Sequence, residues 1–191
     1  MRLDDVILLD KHYDLLEDET QVIFCEGVTN SGKSLILGLK FMQKIMTAPK
    51  DAKQFLMAGV SVGVLEKMYI QNEASFYNIF GPLTDYKKSG EAGSRIMVKT
   101  PTGTKYIYLV GYDNAKRWRD ILGLTLNGSL IEEVNQANDD FIDELILRTF
   151  RNKGFMYCSS NGADPDIRVY TEYLDAGRPL EKYNDEIPDS T

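Results

Sequence analysis

Eight residues, Gly27-Val28-Thr29-Asn30-Ser31-Gly32-Lys33-Ser34, constrain what this chain can fold into more than any others. They match the spacing of a phosphate-binding loop: Gly, four residues, Gly, Lys and Ser or Thr. At average residue usage such a match arises by chance in well under about 1% of chains this long. Gln21-Val22-Ile23-Phe24-Cys25 before it reads as a buried strand, and Lys33 to Met46 after it carries apolar residues at helical spacing. A strand, a tight loop and a helix N-terminus together aim several backbone N–H groups at one point, where a phosphate can sit. Gly27 and Gly32 let the backbone turn and approach closely, Lys33 reaches the β- and γ-phosphates, and the Ser34 hydroxyl binds magnesium. All eight residues are therefore candidate nucleotide contacts. The plainer alternative is a glycine-rich turn with a solvated lysine.

Composition narrows the classes. At 191 residues and 43% apolar, the chain is one ordinary domain with a full core. No apolar run reaches the roughly 18 residues of a membrane span, and Met1-Arg2-Leu3-Asp4-Asp5 lacks a secretory signal's apolar centre, so a cytosolic protein is expected. Cys25 and Cys158 sit in apolar runs without metal-ligand spacing and are expected to be buried, reduced thiols. His12 is the only histidine, which argues strongly against a histidine-based triad or a zinc cluster. The net charge of −7 argues against coating nucleic acid by charge alone. Local basic patches remain at Lys87-Lys88, Lys116-Arg117-Trp118-Arg119 and Arg148 to Lys153, where a solvated face is the bland reading.

In chain order, residues 1–20 form a polar lead-in. Tyr13 within it either covers an adenine ring or packs on the domain. Lys53 to Gly59 reads as a second strand, and Ser61 caps a helix to about Phe76 with Val64, Leu65, Met68 and Tyr69 on one face. Strand, helix, strand, helix predicts an α/β fold with a mostly parallel sheet and crossover helices. Thr84 to Gly93 is polar and expected to be mobile. Arg95 to Lys99 and Lys105 to Val110 flank Pro101-Thr102-Gly103, which predicts an antiparallel hairpin with positive φ at the glycine. In Gly111 to Gly123, Arg117 and Arg119 either face a phosphate, their own or a neighbouring subunit's, or belong to a surface loop anchored by Trp118.

Leu124 to Ile131 is an apolar strand ending in Glu132-Glu133, the form of a Walker B element with Glu in place of the commoner Asp. Strand ends of a parallel sheet share one edge, so these acids come to the crevice of the phosphate loop. Glu132 is then a magnesium ligand, through water, and Glu133 orients and deprotonates the attacking water. Asn138 or Asp139 caps a helix burying Phe141, Ile142, Leu145 and Ile146. Phe155-Met156-Tyr157-Cys158 is a strand ending in Ser159-Ser160-Asn161, where Ser160 and Asn161 either sense the γ-phosphate or form a plain strand exit.

This combination resembles the ATPase domain of tailed-phage terminase large subunits. The resemblance covers Tyr13 to about Tyr170. It rests on the phosphate loop, Pro101-Thr102-Gly103, and Gly123 ahead of Leu130-Ile131-Glu132-Glu133-Val134-Asn135-Gln136-Ala137, and it ends in Ser160-Asn161 with Pro165 and Tyr170 downstream. It implies a P-loop NTPase of the RecA-like, additional-strand type, whose inserted strand would place Cys25 and Cys158 on neighbouring strands. It further implies ATP and magnesium as cofactors, and a motor moving double-stranded DNA into a procapsid in the host cytoplasm. The implied partners are a terminase small subunit and a portal protein, with a homo-oligomeric ring on the capsid and a monomer in isolation. Ser160 and Asn161 would couple γ-phosphate loss to motion. Many relatives carry an arginine inside the loop where this chain has Thr29, so another arginine, Arg117 or Arg119 foremost and Arg95 besides, in cis or from a neighbour, is expected to complete catalysis beside Lys33 and Glu133. The ATPase domain is expected over 21–176, with 177–191 a tail or linker and no nuclease activity from this chain. The rivals are a helicase-like ATPase and a nucleotide-sensing assembly module with little turnover. A small-molecule kinase is poorly served by Glu132-Glu133.

Overall fold

Apolar runs buried on both faces are what a parallel sheet with crossover helices requires, and the chain supplies them in five segments. The computed structural model describes residues 8–28, 31–88, 93–113, 117–162, 168, 171 and 172. The strands are β1 (Val22–Glu26), β2 (Gln54–Gly59), β3 (Thr84–Lys87), β4 (Arg95–Thr100), β5 (Gly103–Gly111), β6 (Gly128–Ile131) and β7 (Phe155–Ser160). They form a seven-stranded sheet in the order β1-β7-β6-β2-β5-β4-β3. β1, β7, β6, β2 and β5 run parallel, and β4 and β3 continue the sheet antiparallel. The α/β fold and its mostly parallel sheet are thus as expected. β7 pairs with both β1 and β6, and Phe24 stands opposite Cys158. Cys25 and Cys158 therefore lie on neighbouring strands, as the resemblance implied.

Strand alternation divides the core into two layers. On one face Phe55, Met57, Leu130 and Tyr157 meet Leu37, Phe41, Met42 and Ile45 of α2 (Lys33–Thr47). On the other, Leu56, Ala58, Ile131, Met156 and Cys158 meet Phe141, Ile142 and Leu145 of α5 (Asp139–Phe150). Asn138 caps α5 by accepting from the Phe141 N–H at 2.9 Å. α1 (Asp10–Glu17) packs on α2, where the buried Lys40 ammonium donates to the Leu16 carbonyl at 2.5 Å. Desolvation holds the Lys40 pKa below the ordinary lysine value.

The hairpin is present: β4 and β5 are joined through Pro101-Thr102, and Gly103 has φ +119°. Three expectations are corrected. The helix capped by Ser61 does not run to Phe76. It begins as α3 (Val62–Glu66), widens into a π-helical turn over Lys67–Gln71 and ends at Asn72 before the short α4 (Phe76–Ile79). Of the predicted apolar face, Leu65 and Tyr69 are buried while Val64 is exposed. Thr84–Lys87 is an edge strand rather than a mobile stretch. Tyr86 Oη donates to Glu66, Lys88 Nζ donates to the other Glu66 oxygen at 2.8 Å, and the Tyr77 hydroxyl accepts from the Tyr86 N–H at 3.3 Å. These anchors fix a segment whose polarity suggested none, and Lys88 and then Tyr86 hold the Glu66 carboxyl below the usual carboxylate range. Finally, β6 is shorter than Leu124 to Ile131, because Leu124 to Asn127 approach it as a loop. Residues 1–7 of the lead-in, 89–92, and the tail over 177–191 lie outside the described residues.

Candidate active site

β1 delivers the loop to the sheet's carboxyl edge. There the Gly27 N–H donates to the Ser160 carbonyl at 3.2 Å, so the loop is tied to β7 from its first residue. Gly32 has φ +85°, a left-handed conformation that L side chains adopt at a cost, and it opens α2. Gly27 is less constrained, since a Cβ there would meet its nearest atom, Ser31 Oγ, at an ordinary 3.5 Å. Lys33 Nζ donates to the Gly27 and Val28 carbonyls at 2.6 and 2.7 Å and to Ser31 Oγ at 3.3 Å, which holds the ammonium over the loop. Val28 is exposed. Thr29 and Asn30 lie outside the described residues.

The acidic pair arrives from β6, two strands away across β7. Glu132 is buried, with 3% of its surface exposed, and three hydroxyls donate to its carboxylate. Tyr69 Oη bonds to Oε1, Ser159 Oγ to Oε2, and Ser34 Oγ to Oε2 at 3.0 Å. The loop serine and the first acid, 98 residues apart in sequence, are thus in direct contact. Burial, followed by the Glu132 charge, pushes the Tyr69 phenol well above its ordinary pKa and keeps it a donor.

Glu133 takes the left-handed conformation, φ 51° and ψ 48°, at which a non-glycine residue stores strain of about 1–3 kcal/mol. The contacts around it sustain the turn. Its N–H donates to Ser159 Oγ at 3.0 Å, and the Tyr112 hydroxyl lies 2.6 and 2.9 Å from the Glu132 and Glu133 carbonyls. Two amides hold its carboxylate: Asn161 Nδ2 on Oε1 at 2.8 Å and Gln136 Nε2 on Oε2 at 2.5 Å.

A cavity of about 400 Å³ opens here, lined by the loop from Ser31 to Leu35, by Glu132 and Glu133, by Ser159 and Asn161, and by Met68 to Phe76 on its far wall. Ser159 and Asn161 alternate onto this face, whereas Ser160 between them does not line the cavity. The Ser160 hydroxyl is buried without a hydrogen-bond partner among the described residues, and its carbonyl is what meets the loop. At the end of β7 it is therefore Ser159, not Ser160, whose side chain faces the cavity. Sequence reasoning also missed Tyr69, Tyr112 and Gln136. The Ser159 assignment had an available signal, since Tyr157 is an evident core residue and a strand repeats every two residues.

Neither Arg95 nor Arg119 lines the cavity. Arg119 is exposed on the 3-10 turn Arg117–Ile121 and does not line the cavity, and the side chain of Arg117 lies outside the described residues, as does Lys116. The Arg95 guanidinium lies 5.5 Å from the centre of the Tyr106 ring, three strands from β6. Among the described residues, Lys33 is the only positively charged side chain lining the cavity. Tyr13 stands half-exposed on α1 and does not line it either. Among the described residues no three His, Cys, Asp or Glu gather as a metal cluster, and no helix is long and apolar enough to cross a membrane.

Neither protein-family models nor curated proteins give a match to the chain. Solved structures do. The large terminase from a thermophilic bacteriophage, in complex with ADP, is 22% identical over 93% of this chain and 43% of that one, with a TM-score of 0.73. The same terminase in complex with ATP-gamma-S is 21% identical over 93% of this chain and 42% of that one, with a TM-score of 0.68. The N-terminal domain of the DNA packaging ATPase from bacteriophage phi29 is 14% identical, covers 87% of this chain and 86% of that one, and has a TM-score of 0.56. The chain spans less than half the length of the thermophilic-phage terminase. At such identities the likeness is one of fold, and the fold is that of the P-loop ATPase domain of phage large terminases.

Proposed function

We propose that the chain is an ATP-hydrolysing motor unit that drives double-stranded viral DNA into a procapsid. The observation that carries the reading is the contact of Ser34 with Glu132 at 3.0 Å, which joins a full phosphate loop to an acidic strand end, with Glu133 beside it at the cavity. A hydroxyl and a buried carboxylate form a hard oxygen donor set of the kind magnesium takes, with waters and phosphate oxygens completing its shell. The residues fit MgATP on that ground.

Ser31 to Ser34, with Gly27 to Asn30, cradle the phosphates through backbone N–H groups at the start of α2, and Lys33 supplies the positive charge. Ser34 and Glu132 would hold a magnesium ion, Glu132 by way of a water, and that ion would supply neutralisation of charge developing on the phosphate oxygens. Glu133 accepts the proton of the attacking water, and its left-handed backbone turns that carboxylate toward the cavity. Asn161, bonded to Glu133 at the end of β7, is suited to couple the state of the γ-phosphate to that strand, with the Ser160 carbonyl tied to the loop. Tyr13, exposed on α1 outside the cavity lining, would have to swing toward the site to cover an adenine ring. With Lys33 the only cation at the cavity among the described residues, an isolated domain turns over slowly, and an arginine from a neighbouring copy or from the Arg117 to Arg119 turn raises the rate. The partners proposed are DNA, a small subunit, a portal and further copies in a ring, in the host cytoplasm.

Glu133→Gln tests the reading. Phosphate release, measured with concentrated protein and DNA, is expected to fall by about 10²-fold or more while nucleotide affinity stays within about threefold. Equal, negligible release by both proteins would make the chain a nucleotide-sensing module instead, and strand separation would make it a helicase.

A further inference from the structure

A carboxylate that helps to hold a cation has to keep one oxygen aimed, and Glu has one more rotatable bond than Asp with which to lose that aim. Glu132 stands where Asp is the commoner residue, so its extra reach calls for a clamp. Oε2 is on Ser34 and Ser159, and Oε1 is on the Tyr69 hydroxyl. Tyr69 reaches it from the π-helical turn Lys67–Gln71, a local irregularity of the kind that re-aims a side chain at a functional site. The ring is fully packed. Phe76 lies 5.4 Å from it between ring centres, and α2 approaches it at Gly38, where a Cβ would come within 3.0 Å of Tyr69 Cε1 and 3.2 Å of Phe76 Cδ1. The same hydroxyl lies 3.2 Å from the Ser34 carbonyl, so one group touches both the acid and the loop residue that meets it.

We propose that Tyr69 is a positioning residue for Glu132: its hydroxyl fixes Oε1 so that Oε2 stays on Ser34, and the cation site is built before a cation arrives. The proposal rests on the ATP-site reading above. When the Ser34 oxygen serves the cation, Tyr69 and Ser159 remain to hold the carboxylate. Gly38 belongs to the same device, because it is the absence of a side chain there that lets the ring lie against α2.

Tyr69→Phe removes the hydroxyl and keeps the ring. The test is calorimetric titration with a non-hydrolysable ATP analogue, once with magnesium and once with EDTA, on both proteins. The expected result is unchanged affinity in EDTA and a loss of about tenfold in the gain that magnesium confers. A magnesium gain equal to that of the parent protein overturns the Tyr69 assignment and leaves the ATP site standing. No nucleotide binding by the parent protein overturns the ATP-site reading, and the Tyr69 assignment with it. If Tyr69→Phe does not fold, Gly38→Ala is titrated in its place. Its methyl crowds the ring while α2 keeps its helix, and the same reduced magnesium gain supports the assignment while an intact gain overturns it.

Discussion

Ser159 and Ser160 are neighbours, identical in chemistry and buried to the same 2% exposure, yet replacing each by alanine is expected to have different consequences. Strand alternation turns them to opposite faces of β7. The Ser159 hydroxyl donates to buried Glu132 and accepts from the Glu133 N–H. Ser159→Ala loses a hydrogen bond to a charged acceptor, about 1.5–3 kcal/mol, and leaves the half-buried Glu133 N–H without its acceptor, about 1 kcal/mol more. A destabilisation of about 2.5–4 kcal/mol follows. The Ser160 hydroxyl has no partner among the described residues. Burying an unpaired hydroxyl costs about 1–3 kcal/mol, so Ser160→Ala relieves that cost and is expected to lie between no change and a gain of about 1 kcal/mol. The Ser160 carbonyl, which holds the Gly27 N–H, is unaffected by the substitution. Urea unfolding followed by far-ultraviolet circular dichroism reads both values, with equal m-values required for the comparison. The reasoning is refuted if Ser160→Ala loses as much stability as Ser159→Ala, or if Ser159→Ala loses less than about 0.5 kcal/mol.

Gly128 faces Phe155 on the paired strand, and a Cβ there would lie 2.4 Å from its Cζ and 2.5 Å from its Cε1. Phe41, Phe55 and Tyr157 surround that ring, so Gly128→Ala overpacks the core, by about 1–3 kcal/mol. The Tm should fall by about 2–10 °C, and a change of under about one degree in calorimetry would mean that the ring has room. Burial pushes the Cys25 thiol up to about 11 and the Cys158 thiol higher still. Alkylation of the native protein, followed by mass spectrometry, should therefore keep accelerating about tenfold per pH unit from about pH 8 to 10; a plateau near pH 9 would contradict it. The sign for stability follows from the same shifts. A thiol whose pKa is raised by folding ionises first in the unfolded chain, so stability falls as pH rises above about 8.5.

The parts of the site written contiguously were legible. The phosphate loop carries its own chemistry within eight residues, and the strand before it and helix after it follow from periodicity. Glu132-Glu133 was placed by its position after a strand, and the inserted β7 came from the resemblance. The clamps were not legible. Tyr69 meets Glu132 across 63 residues, from a π-helical turn whose extra residue leaves no mark in the hydrophobic pattern. β3 was hidden because its anchoring comes from polar groups, Glu66, Tyr77 and Lys88, rather than from apolar alternation. Gln136 stood in view beside the acids, but only the left-handed turn at Glu133 brings its amide back onto that carboxylate.

The place of β1 at the rim of the sheet has a consequence in time. β4 and β5 close across two residues and can pair as soon as both exist, whereas β1 has, among the described residues, β7 as its only partner strand, and Gln21 binds the Gly154 carbonyl 133 residues further on. At about 5–20 residues per second of synthesis, the phosphate loop leaves the ribosome on the order of ten seconds before the strand that aims it. Non-local pairings are also the slow ones, since loop closure must precede any gain from contact. Until β7 inserts, Gly27 lacks its tie to Ser160, and Ser159 is not there to hold Glu132 near Ser34. The nucleotide binding proposed for this chain thus dates the end of its folding: a loop made early is among the last to become competent.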